Sequence, residues 1–286
     1  MKPGELTRRI AFAAVAIPLA LGIVWLGGWP LALLVAAGGV LGVKELYAFA
    51  VRQQVYPLLR TGYISAAAIP LLVYAAHDQR PGLGETGWYL GAAWMLLILV
   101  TALLRRPPND RPLAAAAITA FGVLYAAGLP AFLLTIRHAG HGTRDWAGTW
   151  LVFAPMVIVW VGDTAAMLGG KLIGGPKLAP VVSPGKTWAG AISEIIACLA
   201  VVPLVNIPLE RTGVGWPLGR GLALALALGV VAQVGDLAES LFKREVGVKD
   251  SSALIPGHGG VLDRFDALYF ALPVAAAFYR FVLPSA

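Results

Sequence analysis

Cysteine is almost absent: Cys198 alone is present, inside the apolar run 191–205, which excludes a disulfide or a thiolate metal site within one chain. It reads as a small buried hydrophobe. Histidine is scarce as well. Among His77, His138 and His141 no pair has the i, i+4 spacing of a helical zinc site, so they read as ordinary loop histidines. Charge is the third scarcity, at 13% of 286 residues against 58% hydrophobic, with a mean hydropathy of +0.76. So little charge cannot cover the surface of a soluble domain of this length, which places the chain in a bilayer. In a soluble protein the net charge of +7 would point to nucleic acid. Here basic cytoplasmic loops and attraction for anionic headgroups account for it, and nucleic acid is excluded as a partner.

Long apolar runs are what the chain does have. About 20 apolar residues cross the hydrocarbon, and candidate spans fall near 10–27, 29–50, 62–77, 87–104, 113–136, 147–169, 187–207, 219–242 and 265–283. The expected fold class is therefore all-α, a polytopic integral membrane protein with about nine transmembrane helices. The opening MKPGELTRRI precedes an apolar stretch longer than a cleaved signal core and without a small-x-small exit, so it reads as a retained first helix. Residues 1–110 are expected to embed and pack, and 111–286 to carry a catalytic region with cytoplasmic polar loops. Distributing Lys and Arg over alternate sides of these spans puts 16 on one side and 6 on the other. That bias places the N-terminus and every polar loop discussed below in the cytoplasm, in the cell's inner membrane. The tryptophans suit interfacial belts and packing. Lys44 and Glu45 read as a snorkelling interfacial pair, with a supporting role in a site left open.

Polar residues concentrate in two places. In QVGDLAESLFKREVGVKDSSALIPGHGGVLDRFDAL, Asp236, Glu239, Ser240 and Lys243 fall at i, i+3, i+4 and i+7, one stripe that should face protein and not lipid. Pro256, Gly257, Gly259 and Gly260 then break the helix and leave backbone N–H groups approachable. Helical spacing resumes with Asp263 and Asp266 on one face, so two carboxylate-bearing helix ends bracket a loop carrying Lys249, Asp250 and His258. Carboxylates converging with Lys and Arg around glycine-rich backbone suit a phosphate substrate held through Mg²⁺. The alternative is an interfacial loop of a permease.

The second concentration is VIVWVGDTAAMLGGKLIGGPKLAPVVSPGKTWAGAISE. Asp163 enters the membrane region and must be paired, protonated or bound to a cation. Ser183 is expected near a helix N-cap, with Lys186 and Thr187 in the first turn, where free N–H groups favour an anion. A capped interfacial helix explains the same residues. A Walker loop does not, because position 180 is Pro where its first Gly is required.

The run SLFKREVGVKDSSALIPGHGGVLDRFD resembles the long signature of the phosphatidate cytidylyltransferases, or CDP-diacylglycerol synthases, and DTAAM, GKLIG, KLAP and SPGKTWAG resemble the segments that precede it in that family. Residues 120–283 carry the resemblance. Three positions depart from it: Met167 stands in place of an aromatic, Ala189 in place of a glutamate, and Gly185 where a second Lys is common. Glu194 is a candidate to take over the glutamate's part. The resemblance implies transfer from CTP to phosphatidate, giving CDP-diacylglycerol and pyrophosphate. It implies Mg²⁺, with a second cation left open, and CTP, phosphatidate and bilayer lipid as partners. A homodimer is also left open. Asp236 and Asp263 are the expected metal-binding core, completed by Asp163 and Asp266. Lys249, Asp250 and His258 are expected to join Asp236 and Asp263 as catalytic residues. Ser183, Lys186, Thr187, Ser240, Lys243, Arg244, Gly259, Gly260 and Arg264 are the expected substrate-binding residues. Rival readings are a cytidylyltransferase for another lipid phosphate and a transporter, although the halves lack the paired, matching helix interruptions of a transporter.

Overall fold

The structure, a computed structural model, describes residues 18–77, 83–254 and 259–283. His258 lies outside the described residues. Residues 18–26 are helical. They are followed by α1 (Gly28–Arg52), α2 (Leu59–His77), α3 (Leu83–Arg105), α4 (Pro112–Val123), α5 (Leu129–Arg137), α6 (Trp146–Leu172), the hairpin β1 (Lys177–Ala179) and β2 (Ser183–Thr187), α7 (Trp188–Arg211), α8 (Leu218–Glu245) and α9 (Leu262–Phe281). The all-α, multi-pass membrane class is borne out, with one small hairpin added. Among the described residues seven helices are long and apolar enough to cross a membrane, α4 and α5 counting as one continuous span. Of the nine expected spans, the first is described only from residue 18. The last forms α9, whose 20 residues carry Asp263, Arg264 and Asp266 in its first turns and Arg280 near its end, and which is not among those seven.

Two compact units make up the chain. The first comprises Gly28–Thr135 with Asp250–Arg264, and the second comprises Pro18–Gly27, Ile136–Lys249 and the chain from Phe265 onward. In the first, Tyr47 of α1 is 1% exposed and wedged between two glycines. A Cβ on Gly62 would strike the Tyr47 hydroxyl, and one on Gly122 would stand 2.6 Å from its Cε1. The hydroxyl donates to Thr119 O at 3.0 Å. Thr119 Oγ1 in turn donates to Ala115 O at 2.7 Å and accepts from Leu58 N at 2.8 Å. Between α4 and α5 the chain widens into a π turn, Leu124–Gly128. Pro130 explains the turn's position: it has no N–H for the carbonyl of Ala126 and its ring crowds that carbonyl, a conflict the wider turn relieves.

In the second unit the helical segment 18–26 ends against Arg137, whose buried guanidinium donates to Val24 O (2.6 Å), Trp25 O (2.8 Å) and Gly142 O (2.9 Å), satisfying carbonyls a helix end leaves open. His138 beside it stands in the turn after α5, as the loop reading has it, and is buried. Asp145 caps α6, accepting from Ala147 N at 2.7 Å and from His141 Nδ1 at 3.0 Å. Helix crossings in this unit run through small residues, as close packing within a bilayer favours. A Cβ on Gly162 would lie 2.6 Å from Cys198 Sγ and 3.0 Å from Glu194 Cγ, so α6 and α7 touch there. Cys198 is fully buried, as its small size and apolar setting predict. On α8, a Cβ on Gly235 would lie 2.7 Å from Asp266 O of α9.

Candidate active site

The second polar concentration in the sequence does not begin a helix at Ser183. Ser183–Thr187 instead forms β2, paired antiparallel with β1 in the register Lys177↔Thr187 and Ala179↔Ser183. Gly174 and Gly175, at φ +69° and +91°, turn the chain out of α6, and Trp188 N closes the base of the hairpin on Pro176 O at 3.0 Å. Backbone pairing with the KLA segment thus claims the groups that a helical turn would have used. The cap falls four residues later than expected, at Thr187, whose Oγ1 accepts from Gly190 N at 3.1 Å. Lys186 therefore projects from a strand and not from a helical turn. Its ammonium sits 2.7 Å from Asp236 Oδ2 of α8, with side chains 24% and 33% exposed, a pair that solvent and ligand can reach.

The polar stripe of α8 forms as its spacing predicts. Ser240 Oγ donates to Asp236 Oδ1 at 3.3 Å, and Lys243 Nζ to Glu239 Oε1 at 3.0 Å. Glu239 is fully buried, so the stripe does face protein. Arg244, expected to hold phosphate, bonds backbone carbonyls: its Nε donates to Val182 O (3.1 Å) and its Nη1 to Val248 O (3.3 Å), tying the end of α8 to the hairpin turn. Asp163 and Asp236 stand within electrostatic range of each other and of both Glu194 and Asp266, with Lys186 beside Asp163, Glu194 and Asp236 and Lys243 beside Asp266. Their oxygens are the hard donors that Mg²⁺ takes. Glu194 adds a buried Oε1 that has no hydrogen-bond partner among the described residues. The donor set fits such a cation in kind, yet among the described residues no three acidic, His or Cys side chains stand close enough to hold one as they lie.

The described residues of and around the glycine-rich stretch belong to the first unit, where two carboxylates tie them down. Asp263 Oδ2 accepts from Ser251 N and Gly260 N, each at 2.8 Å, and lies 2.8 Å from Ser251 Oγ, whose single proton it shares with Glu45. Glu45 spreads four more bonds over both of its oxygens. The Gly260 N–H, expected to meet phosphate, is thus committed to Asp263. Gly259 takes φ +82°, and a Cβ there would lie 2.7 Å from Asp263 Oδ2, so glycine is required on both counts. Lys249, Asp250 and Arg264 are exposed. Asp236 and Asp263, paired in the sequence reading, fall in different compact units.

The sequence reading left Glu45 with an open role and read Glu239 only as part of the stripe; Ser251 and Ser252 it did not single out. The usable signal for both glutamates was an acid inside an apolar helix, a costly placement that calls for a partner.

Both polar concentrations lie within one family match. The sequence profile of the cytidylyltransferase family matches residues 7–282. The chain belongs to the cytidylyltransferase family. Among similar proteins, a Haemophilus influenzae phosphatidate cytidylyltransferase is 46% identical over 145 residues, 50% of each chain, so this cytidylyltransferase-family chain spans about half the length of that relative in the match. The phosphatidate cytidylyltransferase of Synechocystis is 29% identical over 97% of this chain and 98% of its own. The chloroplastic phosphatidate cytidylyltransferase 5 of Arabidopsis thaliana is 32% identical over 96% of this chain and 72% of its own.

Proposed function

We propose that the chain is a membrane phosphatidate cytidylyltransferase, joining CTP and phosphatidate into CDP-diacylglycerol with release of pyrophosphate. The observation that carries this reading is the family match across residues 7–282, which takes in the hairpin, the α8 stripe and the glycine-rich stretch together. In the reaction a phosphate oxygen of phosphatidate attacks the α-phosphorus of CTP, a new P–O bond forms, and the bond from the α-phosphorus to the bridging oxygen breaks. The electron pair leaves on pyrophosphate. Phosphatidate is already an anion, so the demand on the protein is charge neutralisation and alignment more than proton removal.

Within the second unit, Asp163, Asp236 and Asp266 would hold Mg²⁺, with Glu194 adding an oxygen that is unpartnered among the described residues. The cation would screen triphosphate charge and favour the departure of pyrophosphate. Lys186 and Lys243 supply positive charge, and each is held by a carboxylate that fixes where it points. Ser240 and Thr187 act at one remove, orienting Asp236 and starting α7. In the first unit, Arg264 offers an exposed guanidinium in the opening turn of α9. These loops face the cytoplasm, on the side favoured by the count of 16 basic residues against 6.

The test is transfer of radiolabel from CTP into the organic phase by the detergent-purified protein, with and without phosphatidate and Mg²⁺. Label that requires both supports the proposal. Label that appears only with a different lipid phosphate would change the acceptor, and a folded protein that labels no lipid phosphate would overturn the reading.

A further inference from the structure

Glu45 sits in the C-terminal half of α1, 5% exposed, in a helix whose other charged residues are Lys44 and Arg52 and whose remainder is largely apolar or small. A carboxylate in such a place loses its hydration and must recover it from the protein. It does so completely. Oε1 accepts from Ser252 Oγ at 2.6 Å and Val261 N at 3.0 Å, and Oε2 accepts from Ser251 Oγ at 2.9 Å and Leu262 N at 2.9 Å. Two of these donors precede the glycine-rich stretch and two follow it, so one carboxylate clasps both of its flanks. The two that follow, Val261 and Leu262, are the opening N–H groups of α9, which a helix leaves without partners and where negative charge is favoured.

The clasp is tight enough to dictate the sequence around it. A Cβ on Gly260 would lie 2.5 Å from both Glu45 oxygens and would strike Ser251 Oγ. Ser251 Oγ also reaches Asp263 Oδ2 at 2.8 Å, so the serine links the two carboxylates. Asp250 lies one residue before the clasp and Arg264 two residues after it. Their backbone positions follow from how Glu45 fixes Ser251 and Leu262.

We propose that Glu45 is a positioning residue for the cytidylyl transfer, acting through Ser251, Ser252 and the start of α9 to hold residues 250–254 and 259–264 in their working conformation; this rests on the function proposed above. The experiment uses the full-length protein in detergent and compares wild type, Glu45→Gln, Ser252→Ala and the double variant. Glutamine keeps the shape but turns an amide NH2 toward donors that need an acceptor. The expected result is a fall in kcat of about 10- to 100-fold for Glu45→Gln, the scale of small misplacements of reacting groups. KM for CTP and for phosphatidate should stay within about 3-fold, because ground-state binding is not what is removed. Ser252→Ala, which loses one hydroxyl and leaves the carboxylate in place, should lower kcat by about 3- to 10-fold, and the double variant should be no slower than Glu45→Gln, since both act through one contact. Should Glu45→Gln fail to fold, Ser252→Ala decides: a kcat loss with unchanged KM and melting temperature supports the proposal, and wild-type kcat overturns it. An active wild type with a fully active Glu45→Gln overturns the positioning role alone. A wild type that labels no lipid overturns the proposed function, and this inference with it.

Discussion

Three glycines on α8 make the same substitution, Gly→Ala, an internal ruler for how closely this helix must pack. At Gly219 an added Cβ meets nothing within 4 Å among the described residues. At Gly229 it would lie 2.9 Å from Ile195 Cδ1, the mobile tip of a side chain, and 3.3 Å from Cys198 Sγ. At Gly235 it would lie 2.7 Å from the backbone oxygen of Asp266 and 2.9 Å from Phe270 Cδ2. Ordinary contact begins at 3.4 Å, so the backbone of α9 must retreat by 3.4 − 2.7 = 0.7 Å. Alanine gains up to about 1 kcal/mol over glycine in a helix interior, and overpacking costs about 1–3 kcal/mol. Gly219→Ala should therefore be neutral or slightly stabilising. Gly229→Ala should lie near neutral, because Ile195 can rotate. Gly235→Ala should lose stability by about 1–2 kcal/mol. The retreat displaces α9 where it carries Asp266 past Asp236, so Gly235→Ala should also lose about 10- to 100-fold in kcat, in line with the cost of misplacing reacting groups by less than about 1 Å. Melting temperatures in detergent and label transfer from CTP to lipid, measured on all three variants, provide the check. A Gly235→Ala protein as stable and as active as Gly219→Ala would refute the claim that this crossing must be closed to backbone contact.

Two further outcomes follow from charge. Asp236→Asn should lower lipid labelling by about 10²- to 10³-fold, the range for losing a preorganised electrostatic group, while shifting stability by no more than about 1 kcal/mol, because the Lys186 pair is partly exposed; labelling within a few-fold of wild type, about 1 kcal/mol or less of barrier, would sink its assignment. At Asp145, partial burial pushes the carboxyl up, but the Ala147 N–H, His141 and the Gly148 N–H outweigh it and hold it below the ordinary carboxylate range. Its charge therefore stabilises the fold above the unfolded-state value of about 3.9 and stops doing so as pH falls through the folded-state value. The melting-temperature gap between wild type and Asp145→Asn should be full at neutral pH and close in acid, and a gap that persists undiminished into strong acid would contradict this.

The sequence made the bilayer, the α8 stripe and the two polar concentrations legible because each rests on local pattern: apolar run length, i, i+4 spacing and charge density. What it hid was long-range pairing. Ser183 carries the residue type of an N-cap, and only the presence of Lys177–Ala179 as a strand partner makes it a strand residue instead. Glu45 looks like an interfacial acid until Ser251, Ser252, Val261 and Leu262, more than 200 positions away, are brought to it. Gly260 illustrates the same gap from the other side. Its lack of a side chain read as access for phosphate, whereas its N–H serves Asp263 and its missing Cβ makes room for Glu45. The π turn was equally out of reach, since Pro130 alone would have allowed a plain kink.

If Asp236 takes a metal ion and Lys186 an anion, as proposed, the contact between these two side chains makes the two ligands into allies. A metal ion recruiting Asp236 Oδ2 has to evict the ammonium at 2.7 Å, and an anion that draws Lys186 away leaves that oxygen exposed and more attractive to a cation. Each event lowers the cost of the other, and by reciprocity each must raise the other's affinity by the same factor. A metal–nucleotide complex delivers both at once, whereas either alone must break the pair unaided. The resting protein is thereby biased against half-loaded states before any helix moves.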